Sequence, residues 1–329
     1  MYETIIVGAG PAGLSAALTL GRARRQVLLL DGGPGRHRSS DGVHMLLSRD
    51  GMAPSELRAA ALADLAAYPS VHIRVARAAR ASGGLGCFSV TLHDGSDVQA
   101  QRLVLASGVR DVLPELEGLE PMWGRGVPHC VYCHGYEHVG VAVAVLALPP
   151  YGLHQALHLT RFSDDVAACT NAAVESDELR ELLARHGVAL YEEKLVRLEG
   201  RGAELERVVF ADGSTLVRDV LFCHPPTCQG SDLAASLGCD LLPDGSVEVD
   251  TLGRTSVPGV SAAGDMARRG DADREHRVPV AAAAGVTAAV AVDQELLNTA
   301  FYGRPKLPDT QDGELAARKR SRRMVVPVR

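Results

Sequence analysis

Ile5-Ile6-Val7-Gly8-Ala9-Gly10-Pro11-Ala12-Gly13-Leu14, read together with Asp31, decides the fold of this chain. The apolar run Ile5-Ile6-Val7 predicts a buried parallel strand. The apolar spacing from Leu14 to Leu20 predicts a helix, and Gln26 to Leu30 predicts a second strand that ends at Asp31. A strand, a glycine-rich turn, a helix and a strand ending in an acid form the dinucleotide fingerprint in its proper setting. Gly8 permits the tight turn, and Gly10 lets the backbone approach a pyrophosphate seated on the helix N-terminus beside Pro11 and Ala12. Gly13 lets the helix lie close to the strand, and Asp31, 21 residues beyond Gly10, is placed to accept hydrogen bonds from a ribose.

The motif alone leaves FAD and NAD open, and two later stretches favour FAD. Arg102 to Ala106 predicts a strand running into Ser107-Gly108-Val109-Arg110-Asp111. Thr255 to Asp265 reads as a turn, a strand of small residues and an acid, ending Ala262-Ala263-Gly264-Asp265. Asp265 at a strand end can accept a hydrogen bond from a ribityl chain. A helix starting near Val278-Pro279-Val280 would aim its positive end at the flavin edge that becomes anionic on reduction.

Cys130-Val131-Tyr132-Cys133-His134-Gly135 carries the chemistry. Thiols at this spacing can close a disulfide with little movement, and a helix N-terminus at Cys133 would favour its thiolate. The same letters fit a c-type haem attachment pattern, half of a zinc site, or an inert pair. Haem attachment requires export, and the chain opens directly into Tyr2-Glu3-Thr4-Ile5 with no charged-then-apolar leader. The other nearby pair, Cys223 and Cys228, is poorly spaced for zinc. Thiol–disulfide redox chemistry is the expectation, and no metal is.

In their order these stretches resemble the low-molecular-weight thioredoxin reductases, over about residues 1–304. The resemblance implies an α/β fold of two Rossmann-like three-layer domains. An FAD domain, 1–114 and 244–304, would be interrupted by a pyridine-nucleotide-type domain, 115–243, carrying the Cys130/Cys133 pair, with a polar and basic tail over 305–329. It also implies that Gly32, Arg36, His44, Ala76, Ala106, Ser107 and Gly108 join the glycine motif, Asp31, Gly264, Asp265 and Val278 around FAD. The region from Arg36 to Asp50 would pass over the flavin, with Arg36 and His37 either serving phosphate or ribose or simply solvated.

The family's second glycine loop, for NADPH, is missing. The strand Val143-Ala144-Val145-Leu146 and the helix from Leu153 to Leu159 are present, but the loop between them reads Ala147-Leu148-Pro149-Pro150-Tyr151-Gly152. Side chains fill the space a pyrophosphate needs, and the prolines remove backbone donors. After the next strand the chain reads Cys169-Thr170-Asn171-Ala172, with no arginine for a 2′-phosphate. The second domain is therefore degenerate. The run Cys133-His134-Gly135-Tyr136-Glu137 is similar to the continuation found in FAD-dependent dithiol oxidases that close disulfides in natural products of the holomycin, gliotoxin and romidepsin type, where thioredoxin reductases usually carry Asp in place of His134.

That likeness implies oxidation of a small-molecule dithiol, with molecular oxygen accepting the electrons and forming hydrogen peroxide. Cys130 would face the substrate, Cys133 the flavin, and His134 or His129 would serve as base near the ordinary imidazole pKa. Tyr132 is expected to pack or to line the substrate entrance; His138, His154 and His158 are expected at the surface. Cys87, Cys169 and Cys239 read as core residues, and Cys223 and Cys228 as structural. Two rivals stand beside this reading: a disulfide or thioredoxin reductase fed by ferredoxin or another protein donor, which also explains the lost loop, and a flavin redox sensor.

Composition sets the outer limits. The chain of 329 residues has room for two domains, and its net charge of −6 gives no general attraction to nucleic acid or membrane. No apolar run is read as long enough for a membrane span. Seven cysteines, mostly scattered, suggest a reducing cytoplasm with one working pair. Homodimerisation is implied by the resemblance alone. Arg318-Lys319-Arg320-Ser321-Arg322-Arg323, in the tail, reads as a solvated stretch.

Overall fold

A computed structural model of the chain describes residues 1–303, apart from 173 and 175. Its first part runs β1 (Tyr2–Val7), α1 (Pro11–Arg22), β2 (Val27–Asp31), α2 (Pro54–Ala66), β3 (Val71–Val75), β4 (Ala78–Gly84), β5 (Cys87–Leu92) and β6 (Asp97–Leu105). These strands form one sheet in the order β3-β2-β1-β6-β5-β4. β1 lies parallel between β2 and β6, pairing Ile5 with Leu28 and Leu103, so the apolar run of the opening motif is the centre of the sheet. Its side chains alternate between two cores. Ile5 and Val7 join Phe88, Val90 and Leu103 on one face, while Ile6 joins Leu20, Leu29 and the helices on the other.

The chain leaves this sheet through β7 (Val109–Asp111) and continues with α3 (Leu119–Met122), α4 (Val131–His134), β8 (Val143–Leu146), α5 (Gly152–Leu159), β9 (Val166–Cys169), α6 (Asp177–Arg185) and β10 (Val188–Tyr191). β11 (Leu195–Arg201), β12 (Glu204–Phe210) and β13 (Thr215–Val217) make an antiparallel meander, and β14 (Val220–Cys223) completes a parallel sheet ordered β10-β9-β8-β14. β15 (Thr227–Gln229) then pairs antiparallel with β7, so the outward and return strands cross side by side. α7 (Leu233–Ser236), β16 (Val247–Glu248), β17 (Val260–Ala262), β18 (Ala267–Arg268) and α8 (Val278–Tyr302) finish the described chain. β17 adds to the first sheet beside the C-terminal half of β6, pairing Ser261 with Val104.

Packing moves the expected return point. Leu233, Ala234 and Cys239 fall inside the segment 115–243 but sit in the first core with Ile5, Phe88 and Val247. The apolar face of α7 is what draws the chain back at β15, before Gly245.

One expectation about membranes also changes. α8 is a helix long and apolar enough, by length and composition, to cross a membrane. Here its buried stripe, including Ala281, Gly285, Ala288, Ala289, Val292 and Leu296, packs into the core shared with α1. Its polar side is tied down by Asp293 to Arg25, at 2.7 Å, and by Glu295 to the fully buried Arg102, at 3.2 Å. The basic tail lies outside the described residues.

Candidate active site

The glycine turn is built as a cradle. Gly8 has φ +110°, and a β-carbon there would collide with the Ala106 carbonyl; a β-carbon on Gly13 would collide with the Gly8 carbonyl. Gly10 differs, because among the described residues none but its two chain neighbours lies within 4 Å of where its β-carbon would be. It is also the N-cap of α1 and supplies no side-chain cap. Pro11 and Ala12 open the helix, so backbone N–H groups at this 12-residue helix start stay available to a diphosphate. Space above Gly10 and free donors below it fit FAD.

Asp31 ends β2 buried, with one carboxylate oxygen accepting from Gly33 N at 2.9 Å and the other from Arg58. Arg58 also donates to the Ala9 carbonyl at 2.7 Å, which ties the glycine turn to Asp31. Nothing in sequence spacing singled out Arg58; α2 delivers it. Gly32 and Ala76 flank Asp31, with Ala76 N donating to the Asp31 carbonyl at 3.0 Å. Ala106, Ser107 and Gly108 line the other side of the turn, and Ser107 meets Ser231 at 3.1 Å. Gly264, with φ +79°, sits close to Ala12. Val278 is the first residue of α8, as expected from Pro279. Gly264, Asp265, His276 and Ala281 border a cleft of about 170 Å³ beside that helix start.

Arg36 is not free for phosphate. Its guanidinium grips Asp111 through two hydrogen bonds, at 2.9 and 2.5 Å, and reaches Asp265 at 3.5 Å. A planar fork held by two carboxylates has few donors left. Burial pushes the Asp265 carboxyl up to about 6, with Arg36 opposing the shift.

Cys130 and Cys133 are joined as a disulfide, with Cα atoms 5.2 Å apart. Cys130 is the N-cap of α4, and its Sγ accepts from Cys133 N at 3.1 Å. α4 spans only Val131–His134, so the expected macrodipole reduces to this one N–H at the sulfur. His134 closes the same turn, and burial, with His44 close by, pushes its pKa down to about 4 instead of the expected ordinary value. Its ring is neutral at pH 7. Ser40 Oγ gives its proton to the Gly42 carbonyl and stands 3.4 Å from His134 Nε2. An acceptor there favours the tautomer protonated at Nε2, with the lone pair on Nδ1.

His44 comes to the dithiol side of this region. Its ring meets His134 edge-on at 5.9 Å, and its Nδ1 lies 3.5 Å from Glu137. His129 stacks on Trp123 at 6.0 Å and faces His224 at 6.4 Å. Its Nε2 is buried without a hydrogen-bond partner, and burial, then Arg36, holds its pKa well below the usual value. His224 and His276, which spacing did not reveal, are also held down by burial, with His276 near 4. The run Arg274-Glu275-His276-Arg277 just before α8 was the available signal for His276.

Three smaller expectations change. Half-buried His138 sets its ring against Phe222 at 5.9 Å, and His158 packs on Tyr132 at 4.9 Å; only His154 stays at the surface. Tyr132 is 64 % exposed, with Arg277 over its ring at 5.6 Å. Cys87 is exposed, since β5 alternation turns Phe88 inward. Cys169 and Cys223 are buried, with thiols pushed up to about 12 by that burial, and Cys228 is a separate exposed thiol.

The second nucleotide loop is closed by its own residues. Ala147 is buried, and a β-carbon on Gly152 would overlap it, so strand and helix meet without a gap. Leu148 N and Gly152 N donate to the Leu146 and Leu148 carbonyls at 2.9 and 2.8 Å. Tyr151 leans on His224 at 5.8 Å. Beyond β9, Asn171 takes a positive φ of 58° and accepts from Leu195 N at 2.9 Å.

Buried neutral imidazoles make stability depend on acid. His129, His134, His224 and His276 have depressed folded-state pKa values, so below about pH 6.5 the unfolded chain takes protons that the folded chain refuses. Asp265 acts in the opposite sense, since its raised pKa lets the folded state take a proton first. The imidazoles outnumber it. FAD-stripped protein should lose on the order of 2 kcal/mol between about pH 7.5 and about pH 5, read as a lower urea midpoint at unchanged slope. An unchanged midpoint would mean the imidazoles are not buried in solution.

A model of the pyridine nucleotide-disulphide oxidoreductase family matches residues 2–288. The probable thioredoxin reductase of Arthroderma benhamiae is 31% identical, covering 92% of this chain and 83% of its own length. The crystal structure of an oxidoreductase from Agrobacterium tumefaciens superposes with a TM-score of 0.83 at 37% identity, covering 90% of this chain and 98% of that one. The crystal structure of HlmI does so with a TM-score of 0.83 at 33% identity, covering 98% of both. With its glycine cradle, its Cys130–Cys133 disulfide and these likenesses, the chain belongs to the pyridine nucleotide-disulphide oxidoreductase family, as an FAD-binding disulfide oxidoreductase of the thioredoxin-reductase-like kind.

Proposed function

We propose that this protein is an FAD-dependent dithiol oxidase that closes an intramolecular disulfide in a small natural-product dithiol, with molecular oxygen as final acceptor. The observation that carries this reading is the second loop, where buried Ala147 meets Gly152 without a gap and Leu148 and Pro149 stand in place of glycines, in a chain whose dithiol centre is intact. With no NADPH loop to deliver electrons, this reading takes them from the substrate dithiol.

Residues of the chain account for the thiol steps. His134, unprotonated at pH 7, receives the proton of an incoming substrate thiol, and the thiolate formed beside it raises its basicity above that of the free enzyme, where burial holds its pKa near 4. The resulting thiolate attacks Cys130 Sγ; a substrate–Cys130 bond forms, the Cys130–Cys133 bond breaks, and Cys133 leaves as thiolate. The second substrate thiolate attacks the substrate sulfur of that mixed disulfide, forming the product disulfide and releasing Cys130. The Cys133 N–H at 3.1 Å from Cys130 Sγ stabilises the released thiolate. The chemistry FAD supplies when bound is two-electron oxidation of the Cys130/Cys133 dithiol and return of those electrons to oxygen as hydrogen peroxide. Gly8, Gly10, Gly13, Asp31 and Asp265 would hold it. Scattered unpaired cysteines fit a reducing cytoplasm, where we place the protein, and the likeness to thioredoxin reductases alone is the ground for taking it as a homodimer.

His134→Asn should lower kcat for dithiothreitol oxidation roughly 10²-fold at neutral pH with FAD retained. A rate within about twofold of the parent would remove His134 from the base role. The reading as a whole is tested by oxygen uptake with dithiothreitol alone, and by NADPH alone under anaerobic conditions. Peroxide from dithiol without NADPH supports it; flavin bleaching by NADPH alone overturns it. A disulfide reductase fed by a protein donor such as ferredoxin is the second reading, favoured by relatives named thioredoxin reductase. It predicts a dithiol-reduced flavin that reacts slowly with oxygen.

A further inference from the structure

We propose that His44, His134 and Glu137 form a zinc site on the dithiol face, and that zinc held there stops turnover. One ligand atom from each residue lies within 4.8 Å of the other two. The nearest measured pair, His44 Nδ1 to Glu137 Oε1, is 3.5 Å apart. Zinc bonds of about 2.0–2.1 Å at tetrahedral angles put neighbouring ligand atoms about 3.3 Å apart, so His44 and Glu137 already stand near that spacing and a side-chain rotation of His134 would bring in the third ligand. Two imidazoles and one carboxylate suit zinc in preference to magnesium or calcium, which ask for oxygen. A fourth position stays open for water.

The fold brings these side chains together from two directions. His134 ends α4, and Glu137 follows three residues on in the next tight turn, Tyr136–His138, so both point from one short stretch. His44 arrives on a closed loop whose ends are pinned by Val43 N to the Met52 carbonyl, at 2.9 Å, and Gly51 N to the Val43 carbonyl, at 2.8 Å. Asp50, fixed by Met45 N at 2.8 Å, lies 3.6 Å from the same His44 Nδ1 and adds negative charge on the side where the cation would sit. Neither the Cys130–Cys133 spacing nor the His154/His158 pair takes part.

Zinc bound here ties the loop around His44 to the α4 turn and occupies the His134 lone pair. The inhibitory half of the inference rests on His134 acting as base; the binding half does not. The test separates them. Holoenzyme with FAD and an intact Cys130–Cys133 disulfide, so that neither sulfur is a ligand, is titrated with cobalt(II) and followed by its visible ligand-field bands. Turnover of dithiothreitol is then measured at free zinc concentrations fixed by a metal buffer, each protein against its own zinc-free rate. We expect one saturable cobalt site per chain, weakened roughly tenfold or more in Glu137→Gln and again in His44→Gln, with inhibition shifting in parallel. Absence of saturable binding, or equal affinity in parent and both variants, overturns the site. Binding that leaves turnover unchanged overturns the inhibition. If the parent oxidises no dithiol, the functional reading fails, yet the cobalt titration still decides the site.

Discussion

Cys133→Ser protein, loaded with FAD, should oxidise dithiothreitol at least about 10³-fold more slowly than the parent, a loss comparable to removing a covalent nucleophile elsewhere. Serine cannot accept a disulfide bond, so attack on Cys130 has no leaving sulfur and electrons have no route into the flavin. The fold should survive. The Cys133 N–H that bonds Cys130 Sγ at 3.1 Å belongs to the backbone, and Val131, the buried residue of α4, is untouched. FAD content and the thermal midpoint are the controls. Residual turnover near the parent rate would place the redox pair elsewhere; the exposed Cys228 and Cys87 would then be the next thiols to replace.

Gly10→Val should separate folding from cofactor binding. Gly10 has φ −78° and ψ −176°, a backbone any residue adopts, and among the described residues none but its two chain neighbours comes within 4 Å of its missing β-carbon. The FAD-free variant should therefore melt within a few degrees of the FAD-free parent. Its FAD affinity should fall roughly 100-fold or more, because the side chain fills the approach a diphosphate needs at the start of α1. Gly285→Ala is the contrasting case. Its β-carbon would enter the Ala12 carbonyl, where α1 and α8 touch, so that variant should lose about 1–3 kcal/mol before any cofactor is added. Equal melting losses in the two variants would mean that Gly10 is structural, and retained FAD in Gly10→Val would move the diphosphate away from this turn.

The two glycines also mark how much of the molecule was legible in the chain. The opening motif, Asp31, the strand before Gly264 and the proline at the head of α8 were readable because each sets a local backbone requirement. A tight turn, a helix start and a strand end depend on neighbours within a few residues, and their residue types announce them. The same holds for the Cys130–Cys133 disulfide and for the filled loop at Ala147 to Pro149. Nothing local announced Gly285, whose absent side chain matters only because α8 comes back across α1.

Charge and burial were decided by tertiary structure. His134 reads as an ordinary imidazole in sequence and is pushed down to about 4 once the fold closes over it. Arg36 reads as either a phosphate or ribose ligand or a solvated side chain, and is instead committed to Asp111 and Asp265, residues 75 and 229 positions away. Arg58 reaches Asp31 from a helix with no motif, and the return at β15 follows where Leu233 and Cys239 find apolar company. By itself the sequence determined the strand–turn–helix units at Ile5 to Leu20 and at Val143 to Leu159, the cofactor cradle and the spacing of the redox pair, all encoded by neighbours along the chain. Only the tertiary structure decided which buried groups face one another, because desolvation and pairing depend on distances that the order of residues does not contain.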